Sequence, residues 1–525
     1  MMKPLLILLL TLICVGGYSQ EDNDIDILHY HFNIEVNDAN DSIKCSAVID
    51  YRFINSSDKI WLDLVSRKAN GKGMKVWGVW DEETKQPLSF THSDDKVRIN
   101  LDGKKSGDKK VRIDYRGIPA DGLIISKNKF NQRTFFADNW PNRGRNWLVC
   151  KDEPADKAAV DFIVTAPVHY QVISNGVQVE ETNLTDKLKL THWRETVDLP
   201  TKVMAIGIAE FAVNYQGDAE SIPVYSWVFP GNRMEGFKDY AVATKVLSFF
   251  IKNIGPFPYK KLANVQSKTI FGGMENAGAI FYSENSVGSG GGLDKLIAHE
   301  IAHQWFGDML TERDFSHVWL SEGFATFMAL AYIENAFGED SAKKEFAKNR
   351  RKVIGFSKNG SGSVVDSTEK NYINLLNPNS YEKGGWILYM LRKQLGDTIF
   401  WKGIRNYYSA YAGKNAITEN FRTEMEKVCG KDLKQFFHQW LYVPGQPQIK
   451  VTKSYDNGTL TVMVMQKNEP LFEFPLTLRV VNKDGEVTKS IRVSQKETTF
   501  KIPMGSDAEK IILDPNVGLL FEEIN

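Results

Sequence analysis

The chain has 525 residues, which at about 150 residues per domain predicts roughly three or four domains. Hydrophobic residues make up 42% of it and charged residues 25%, as in ordinary globular proteins, which excludes a disordered or fibrous chain. Lys and Arg together number 65, as do Asp and Glu, and this zero net charge argues against binding to nucleic acid or, through bulk charge, to anionic lipid.

Residues 1–19 are predicted to form a secretory signal peptide. Lys3 precedes an apolar run over residues 5–15, and small residues at 17 and 19 mark a cleavage site before Gln20. The run is shorter than the about 20 residues that a membrane-spanning helix requires. A lipoprotein signal cut before Cys14 is the alternative, but the residue before that cysteine is not small. We therefore expect an exported protein, periplasmic or secreted, with no membrane span in the mature chain.

Residues 20–223 are predicted to form an N-terminal antiparallel β domain. Short runs such as HYHFNIEV, CSAVIDYRF and VDFIVTAP alternate apolar and polar residues, and Asp, Asn, Gly and Pro separate them. This alternation, with turn signals at regular intervals, is typical of antiparallel sheets of sandwich type.

Residues 224–445 are predicted to form a mainly helical domain. From Met234 onward, apolar residues recur at steps of three and four residues in segment after segment. A linker, residues 444–447, then precedes alternating runs with turn signals at 456–458 and 483–485. This last pattern predicts a small β-sandwich over residues 446–525, so the fold class is a multidomain α+β protein.

A helix predicted over residues 293–310 carries His299, Glu300 and His303. Residues four apart share a helix face, so both imidazoles converge on one point, with the spacing of two nitrogen ligands of a tetrahedral zinc. Glu300 lies beside them, where it can reach a metal-bound water as a general base. The motif alone is short enough to occur by chance. The neighbouring residues are apolar, however, and a buried cluster without metal would leave polar groups at a cost of about 1–3 kcal/mol each.

Glu322 is the candidate third ligand, because a catalytic zinc keeps three protein ligands and one open position. It follows His303 after eighteen intervening residues, at the start of the next helical pattern. The alternative interpretation is a carboxylate favoured by the dipole of that helix, which contributes only about 0.3–1 kcal/mol.

This arrangement resembles the M1 family of zinc aminopeptidases, the gluzincins. Besides the HExxH motif and Glu322, the chain contains GGMEN at residues 272–276 and DEP at residues 152–154, similar to two further family elements. The resemblance covers nearly all of the mature chain. It implies that the middle block is a thermolysin-like catalytic domain, and that the protein resembles compact members without a large C-terminal helical domain.

The resemblance also implies a role for each matching residue. One zinc ion per chain is held by His299, His303 and Glu322, while Glu300 activates the water that attacks the peptide. Tyr381 in SYEKGG matches the tyrosine that stabilises the oxyanion, whereas a core tyrosine is the alternative interpretation. Glu275 binds the free α-amine of the peptide substrate. Its neighbours in the substrate-binding segment are Gly272, Gly273, Met274 and Asn276.

Two positions depart from the family pattern. Ala277 stands where the family usually has Trp, which affects the wall of the amine pocket. A second amine-binding Glu or Gln is expected ten residues before Cys150, but Trp140 occupies that position. Asp138, two residues earlier, is the predicted substitute.

Other motifs have plainer interpretations. The glycine-rich residues 288–292 lack the spacing of a phosphate loop, and the basic run over residues 343–352 fits a solvated helix face.

The rival functions are an endopeptidase or a lipid-epoxide hydrolase on the same scaffold, and a silent peptide-binding or adhesion protein. Glu275 and the complete catalytic set favour an aminopeptidase that acts on oligopeptides with free N-termini. The sequence does not indicate the oligomeric state or the preferred N-terminal residue.

Overall fold

The structure is a computed structural model that describes residues 25–288, 292–360 and 362–524. The predicted signal peptide lies outside the described residues, as does the centre of the glycine-rich segment 288–292. In the part of the chain that is described, no helix has the length and apolar character needed to cross a membrane.

Three sheets make up the N-terminal region. The seven-stranded sheet has the order β12-β13-β10-β1-β2-β7-β4, the second sheet β11-β14-β9-β8 and the third β3-β6-β5. Their strands are β1 (Ile25–Glu35), β2 (Ile43–Phe53), β3 (Ser57–Asp63), β4 (Gly73–Asp81), β5 (Ser89–Ser93), β6 (Lys96–Lys105), β7 (Asp108–Ile118), β8 (Leu123–Lys127), β9 (Arg133–Ala137), β10 (Lys157–Pro167), β11 (Gln171–Ser174), β12 (Val177–Asn183), β13 (Leu188–Pro200) and β14 (Ile206–Ala209).

The alternation seen in the sequence sets which face of each strand is buried. In β2, Ile43, Cys45, Ala47 and Ile49 are buried, and the residues between them are half-buried or exposed. The prediction of an antiparallel domain is wrong at one pair, because β10 returns from far along the chain and inserts parallel to β1. Local alternation carries no information about the direction of a distant partner strand.

A five-stranded sheet of order β15-β16-β17-β19-β18 belongs to the middle region of the chain. Period-two alternation does not mark its inner strands, because a run such as LANVQS is buried on both faces. Position 223, the predicted end of the N-terminal domain, lies inside β16. The strands are β15 (Ala212–Ala219), β16 (Ile222–Val228), β17 (Leu262–Ser267), β18 (Gly273–Met274) and β19 (Ala279–Ser283).

Helices form the rest of this region, as the sequence predicts. Two short parallel strands, β20 (Thr311–Glu312) and β21 (Asn415–Ala416), join its loops. The helices are α1 (Arg233–Tyr240), α2 (Ala243–Asn253), α3 (Asp294–His303), α4 (Trp319–Phe337), α5 (Glu339–Ser357), α6 (Gly384–Leu395), α7 (Asp397–Tyr411), α8 (Thr418–Cys429) and α9 (Lys434–Phe437).

The helix that carries the HExxH motif is shorter than predicted. It was expected over residues 293–310, but α3 ends at His303 and the chain turns back on itself. Gly307 has a φ of +126°, its N–H donates to Leu310 O at 2.8 Å, and Asp308 N–H donates to His303 O at 3.1 Å. The positive φ of Gly307, four residues after the second histidine, takes the chain out of the helical path.

The C-terminal region consists of two sheets, with orders β26-β23-β22-β28 and β25-β24-β27. Both predicted turns, at 456–458 and 483–485, join paired strands. Leu460 and Val462 from one sheet and Val480 from the other belong to one buried apolar cluster. The strands are β22 (Gln448–Asp456), β23 (Thr459–Gln466), β24 (Phe474–Asn482), β25 (Gly485–Val493), β26 (Glu497–Pro503), β27 (Lys510–Leu513) and β28 (Glu522–Glu523).

Candidate active site

Helices α3 and α4 pack together and bring three donor side chains to one point. Oε2 of Glu322 lies 3.3 Å from Nε2 of His299 and 3.2 Å from Nε2 of His303. The two Nε2 atoms are 3.1 Å apart. Ligands held about 2.0–2.1 Å from a tetrahedral ion stand about 3.3 Å from one another, so these three atoms fit such an ion.

The surroundings of His303 hold its ring in the orientation that a metal ligand needs. Its other nitrogen, Nδ1, lies 3.1 Å from both Phe306 O and Ser321 Oγ. A partner of this kind on the second nitrogen determines which tautomer faces the metal. A Cβ on Gly307 would lie 2.4 Å from Ser321 Oγ and 3.0 Å from Nδ1 of His303, so the turn after α3 leaves no room for a side chain.

The protonation of the triad also suits a cation. Burial alone raises the pKa of Glu322, but His303 and His299 outweigh it and lower that pKa below its ordinary value. Burial lowers the pKa of His299, which favours the neutral imidazole. Burial lowers the pKa of His303, but the carboxylate of Glu322 outweighs it and raises that pKa above the ordinary value, an effect that a cation bound in place of the proton would replace.

Glu300 lies in the cleft beside the triad and is 4% exposed. Burial raises its pKa well above the ordinary value, as do the nearby carboxylates of Glu275 and Glu322, while His303 acts in the opposite direction. Its carboxyl group rests against the backbone of Gly273, where a Cβ would lie 2.3 Å from Oε1 of Glu300. A carboxylate with a raised pKa next to a metal site is suited to accept and return protons.

The GGMEN segment forms one wall of the cleft. Gly273 and Met274 form the edge strand β18, which pairs only on its inner side with β19 among the described strands. Glu275 is 5% exposed, and within the described residues its Oε1 has no hydrogen-bond partner. The backbone oxygen of Glu275 accepts from Gln304 Nε2 at 2.8 Å. An extended peptide can therefore add to the open edge, and at its end stands a carboxylate oxygen, Oε1 of Glu275, that has no hydrogen-bond partner among the described residues.

The remaining residues of the segment are buried behind the cleft. Asn276 is fully buried, and neither its amide nitrogen nor its amide oxygen has a hydrogen-bond partner in the described part of the chain. Ala277 is also fully buried, and its N–H donates to Val203 O at 3.2 Å. Position 277 therefore packs against the N-terminal region.

Tyr381 reaches the triad from a different element. It lies in a π-helical turn, Asn379–Lys383, directly before α6. Its ring stacks on His299 with centroids 5.8 Å apart, and burial together with the carboxylates of Glu322, Glu275 and Glu300 raises its pKa well above the ordinary value. A neutral phenol at this position is a hydrogen-bond donor. Lys383 fixes the turn by donating to Gly445 O at 2.6 Å.

Asp138 does not occupy the place predicted for a second amine-binding residue. It is fully buried, and one carboxylate oxygen accepts from Arg143. The other oxygen accepts from Thr269 Oγ1 and from the N–H of Ile270, both at 3.0 Å. Asp138 thus anchors the loop that precedes GGMEN. Trp140 lines the cleft instead, where its side chain has no carboxylate or amide to bind an amine.

The cleft encloses about 400 Å³, and its walls come from both the N-terminal and the helical regions. Sequence reasoning missed several wall residues, because no local motif marks them. The apolar ones include Trp140, Phe271, Leu296, Leu330 and Leu376, and the charged ones are Lys295, Lys352 and Glu382. Lys352 belongs to the basic run on α5, whose lysines pair with Glu339, Glu345 and Glu382.

Comparison with known proteins identifies the family. The model of the peptidase M1 N-terminal domain matches residues 27–203, and that of the peptidase family M1 domain matches residues 239–440. The chain belongs to peptidase family M1. The leucyl aminopeptidase of Saccharolobus solfataricus is similar to this chain, with 26% identity over 84% of this chain and 56% of its own length.

Two other relatives are similar to this chain at a comparable level of sequence identity. The probable aminopeptidase 1 of Sulfurisphaera tokodaii is 25% identical over 81% of this chain and 54% of its own length. The tricorn protease-interacting factor F2 of Thermoplasma acidophilum is 28% identical over 76% of this chain and 53% of its own. The chain therefore spans about half the length of these relatives.

A solved structure has the same fold. Aminopeptidase A of Legionella pneumophila, in complex with aspartic acid, superposes with a TM-score of 0.82 over 97% of this chain and 60% of that one. The two sequences are 17% identical.

Proposed function

We propose that this family M1 chain is a zinc-dependent aminopeptidase that removes N-terminal residues from oligopeptides. The observation that carries the proposal is the shared cleft, in which Glu275, Glu300 and Tyr381 surround the triad of His299, His303 and Glu322. Two imidazoles and one carboxylate with tetrahedral spacing suit one zinc ion per chain. Zinc bound there supplies a Lewis acid that polarises the scissile carbonyl and acidifies a water.

The chain's own residues carry the proton transfers. Glu300 accepts a proton from the attacking water through its carboxylate, and then passes that proton to the nitrogen of the leaving peptide. The hydroxyl of Tyr381 donates to the oxygen of the carbonyl under attack, where negative charge develops. Burial of Glu300 and Tyr381 strengthens both interactions, because little water competes for them.

Glu275 makes the proposed enzyme an exopeptidase. Its Oε1, which has no hydrogen-bond partner among the described residues, is the acceptor that a substrate ammonium group needs, and pairing the two satisfies this buried oxygen. An N-acetylated peptide offers no such charge, so it leaves the carboxylate unpaired and binds poorly. An endopeptidase has no use for this group, which argues against that rival.

Three further expectations belong to this proposal. The chain is exported through a cleaved signal peptide and acts on peptides outside the cytoplasm. The two C-terminal sheets form a small β-sandwich behind the helical region. The protein takes no nucleic acid as a partner, which agrees with its balanced charge.

The test is hydrolysis of fluorogenic aminoacyl amides, each measured beside its N-acetylated counterpart. Cleavage of the free-amine members alone, abolished by a chelator and restored by zinc, is the expected result. Glu275→Gln should raise KM for free-amine substrates by about 10-fold or more, since a charge-assisted contact becomes a neutral one. Equal cleavage of blocked and free substrates would replace the aminopeptidase by an endopeptidase. Zinc binding without any cleavage would favour the silent binding protein.

A further inference from the structure

A second set of metal-ligand side chains lies outside the cleft, on one face of the seven-stranded sheet. His29 and His31 stand two residues apart on β1, so their side chains share that face. Asp161, on the neighbouring strand β10, is the register partner of His31. Nε2 of His29 lies 2.8 Å and Nδ1 of His31 lies 2.9 Å from Oδ2 of Asp161. We refer to these three residues as the sheet-face cluster.

Asp161 is fully buried, and its two oxygens have different environments. Oδ1 accepts from Nε2 of His192 at 2.6 Å and from Nε of Arg194 at 2.7 Å. Oδ2 faces His29 and His31, and within the described residues neither Oδ2 nor Nε2 of His29 takes part in an aligned hydrogen bond. A buried carboxylate oxygen thus lies 2.8–2.9 Å from two imidazole nitrogens without an aligned hydrogen bond.

Neutral rings could each donate one N–H to Oδ2 of Asp161, but Nε2 of His29 is not aligned for that bond, and full protonation of both rings is unfavourable in this geometry. The rings of His29 and His31 stack with centroids 3.9 Å apart and planes inclined by 20°. Two imidazolium ions stacked face to face would repel each other. One divalent cation, in contrast, neutralises Oδ2 and accepts a lone pair from two neutral rings. Two histidines and one carboxylate with open positions are a common ligand set for first-row transition metals.

The cluster also has the supporting contacts and the access that a metal site needs. His192 and Arg194 fix the carboxylate of Asp161, while Nε2 of His31 faces Oδ2 of Asp50 at 3.9 Å. The side chains of His29 and His31 are 24% and 29% exposed. For each ring to direct one nitrogen lone pair at a shared ion, one of the two rings has to turn about its Cβ–Cγ bond. Its partial exposure leaves room for that turn and for water ligands.

We propose that the sheet-face cluster is a second metal site, which binds a divalent transition-metal ion such as zinc through His29, His31 and Asp161. This site is independent of the triad in the cleft and does not depend on the proposed peptidase activity.

The test is zinc stoichiometry of the full chain after treatment with a chelator, followed by titration against a chromophoric chelator. About two equivalents are expected for the wild type, and about one for the double variant His29→Asn/His31→Asn. The variant His299→Ala/His303→Ala should also retain about one equivalent, held by the sheet-face cluster. His169→Asn is the matched control, because His169 is a half-exposed histidine near Asp38 in the same region and should not change the count.

Thermal unfolding provides a second measurement that leaves the cluster intact. Zinc should raise the unfolding midpoint of the His299→Ala/His303→Ala chain, since ligand binding to the folded state stabilises it. Adding His31→Asn to that chain should abolish the rise. A wild type that binds a single equivalent, or a His299→Ala/His303→Ala chain that neither binds zinc nor shifts its midpoint, would overturn the proposal.

Discussion

Gly323 and Gly384 meet backbone to backbone where α4 crosses the start of α6. A Cβ on Gly323 would lie 2.8 Å from Cα and 2.9 Å from the carbonyl carbon of Gly384, and 3.1 Å from Ser380 O. Gly323 directly follows Glu322, and Gly384 comes three residues after Tyr381. The close approach therefore sets the distance between Glu322 of the triad and Tyr381.

Gly323→Ala should push the π-helical turn away from α4. It should lower kcat by about 10-fold or more, because the hydrogen bond that Tyr381 donates depends on the position of its hydroxyl. The free energy of unfolding should fall by about 1–3 kcal/mol, because backbone cannot yield as a flexible side chain does. Steady-state kinetics and urea denaturation measure both effects. Gly355→Ala in α5 is the control, as no atom lies within 4 Å of its Cβ position. Equal effects of the two substitutions would contradict the explanation.

Glu300→Gln should lower kcat by about 10²–10⁴-fold, because the amide keeps the shape of the side chain but cannot accept the proton of the water. Zinc content should stay at the wild-type level, since Glu300 is not part of the triad. Metal analysis and kinetics on the same preparation separate the two roles. Glu339→Gln, at the exposed start of α5, should behave as wild type. Loss of zinc together with activity would argue for a structural role instead.

Tyr381→Phe should lower kcat by about 10²–10³-fold with little change in KM, since the hydroxyl acts where charge develops in the transition state. Tyr442→Phe provides a matched control, because Tyr442 also belongs to a π-helical turn but donates to Glu419 and does not line the cleft. The idea fails if Tyr381→Phe changes KM alone.

Trp140→Ala should broaden the choice of N-terminal residue. The Trp140 ring stands edge-on to Phe271 at 6.4 Å and to Phe315 at 5.7 Å between ring centroids. It forms an aromatic wall of the cleft that Glu275 also lines. We expect the wild type to prefer large apolar N-terminal residues, by about 10-fold over small ones. The ratio of kcat/KM for leucyl and alanyl amides measures this preference, which should shrink in the variant. A ratio unaffected by the substitution would place the specificity elsewhere.

Lys383 should make stability depend on pH. Burial lowers its pKa to about 7, whereas in the unfolded chain a lysine titrates near about 10.4. Between these values the unfolded chain binds a proton that the folded chain does not, so this residue makes the free energy of unfolding rise with pH from about 7 to about 10. In urea denaturation the Lys383→Met variant should lack this contribution, and the exposed Lys402→Met should retain it. Parallel pH profiles of wild type and Lys383→Met would disprove it.

Many of the residues that line the cleft belong to short sequence motifs, and these residues could be predicted from the sequence. His299 and His303 share a helix face because any α-helix places residues four apart together, whatever surrounds it. Glu322 and the residues of GGMEN were identifiable through their family spacing. Alternation with period two likewise indicated most strands of the N-terminal region, since each strand records its own buried face.

Only the tertiary structure decided which distant segments meet. Asp138 lies behind the loop before GGMEN and Trp140 lies in the cleft, although the two residues are only two positions apart in the sequence. The tertiary structure also placed Asp161 beside His31, through a parallel pairing of β1 and β10 that no local pattern encodes. Periodicity reports the environment of a strand or helix one residue at a time, whereas register and partner choice follow from packing the whole chain into a shared core.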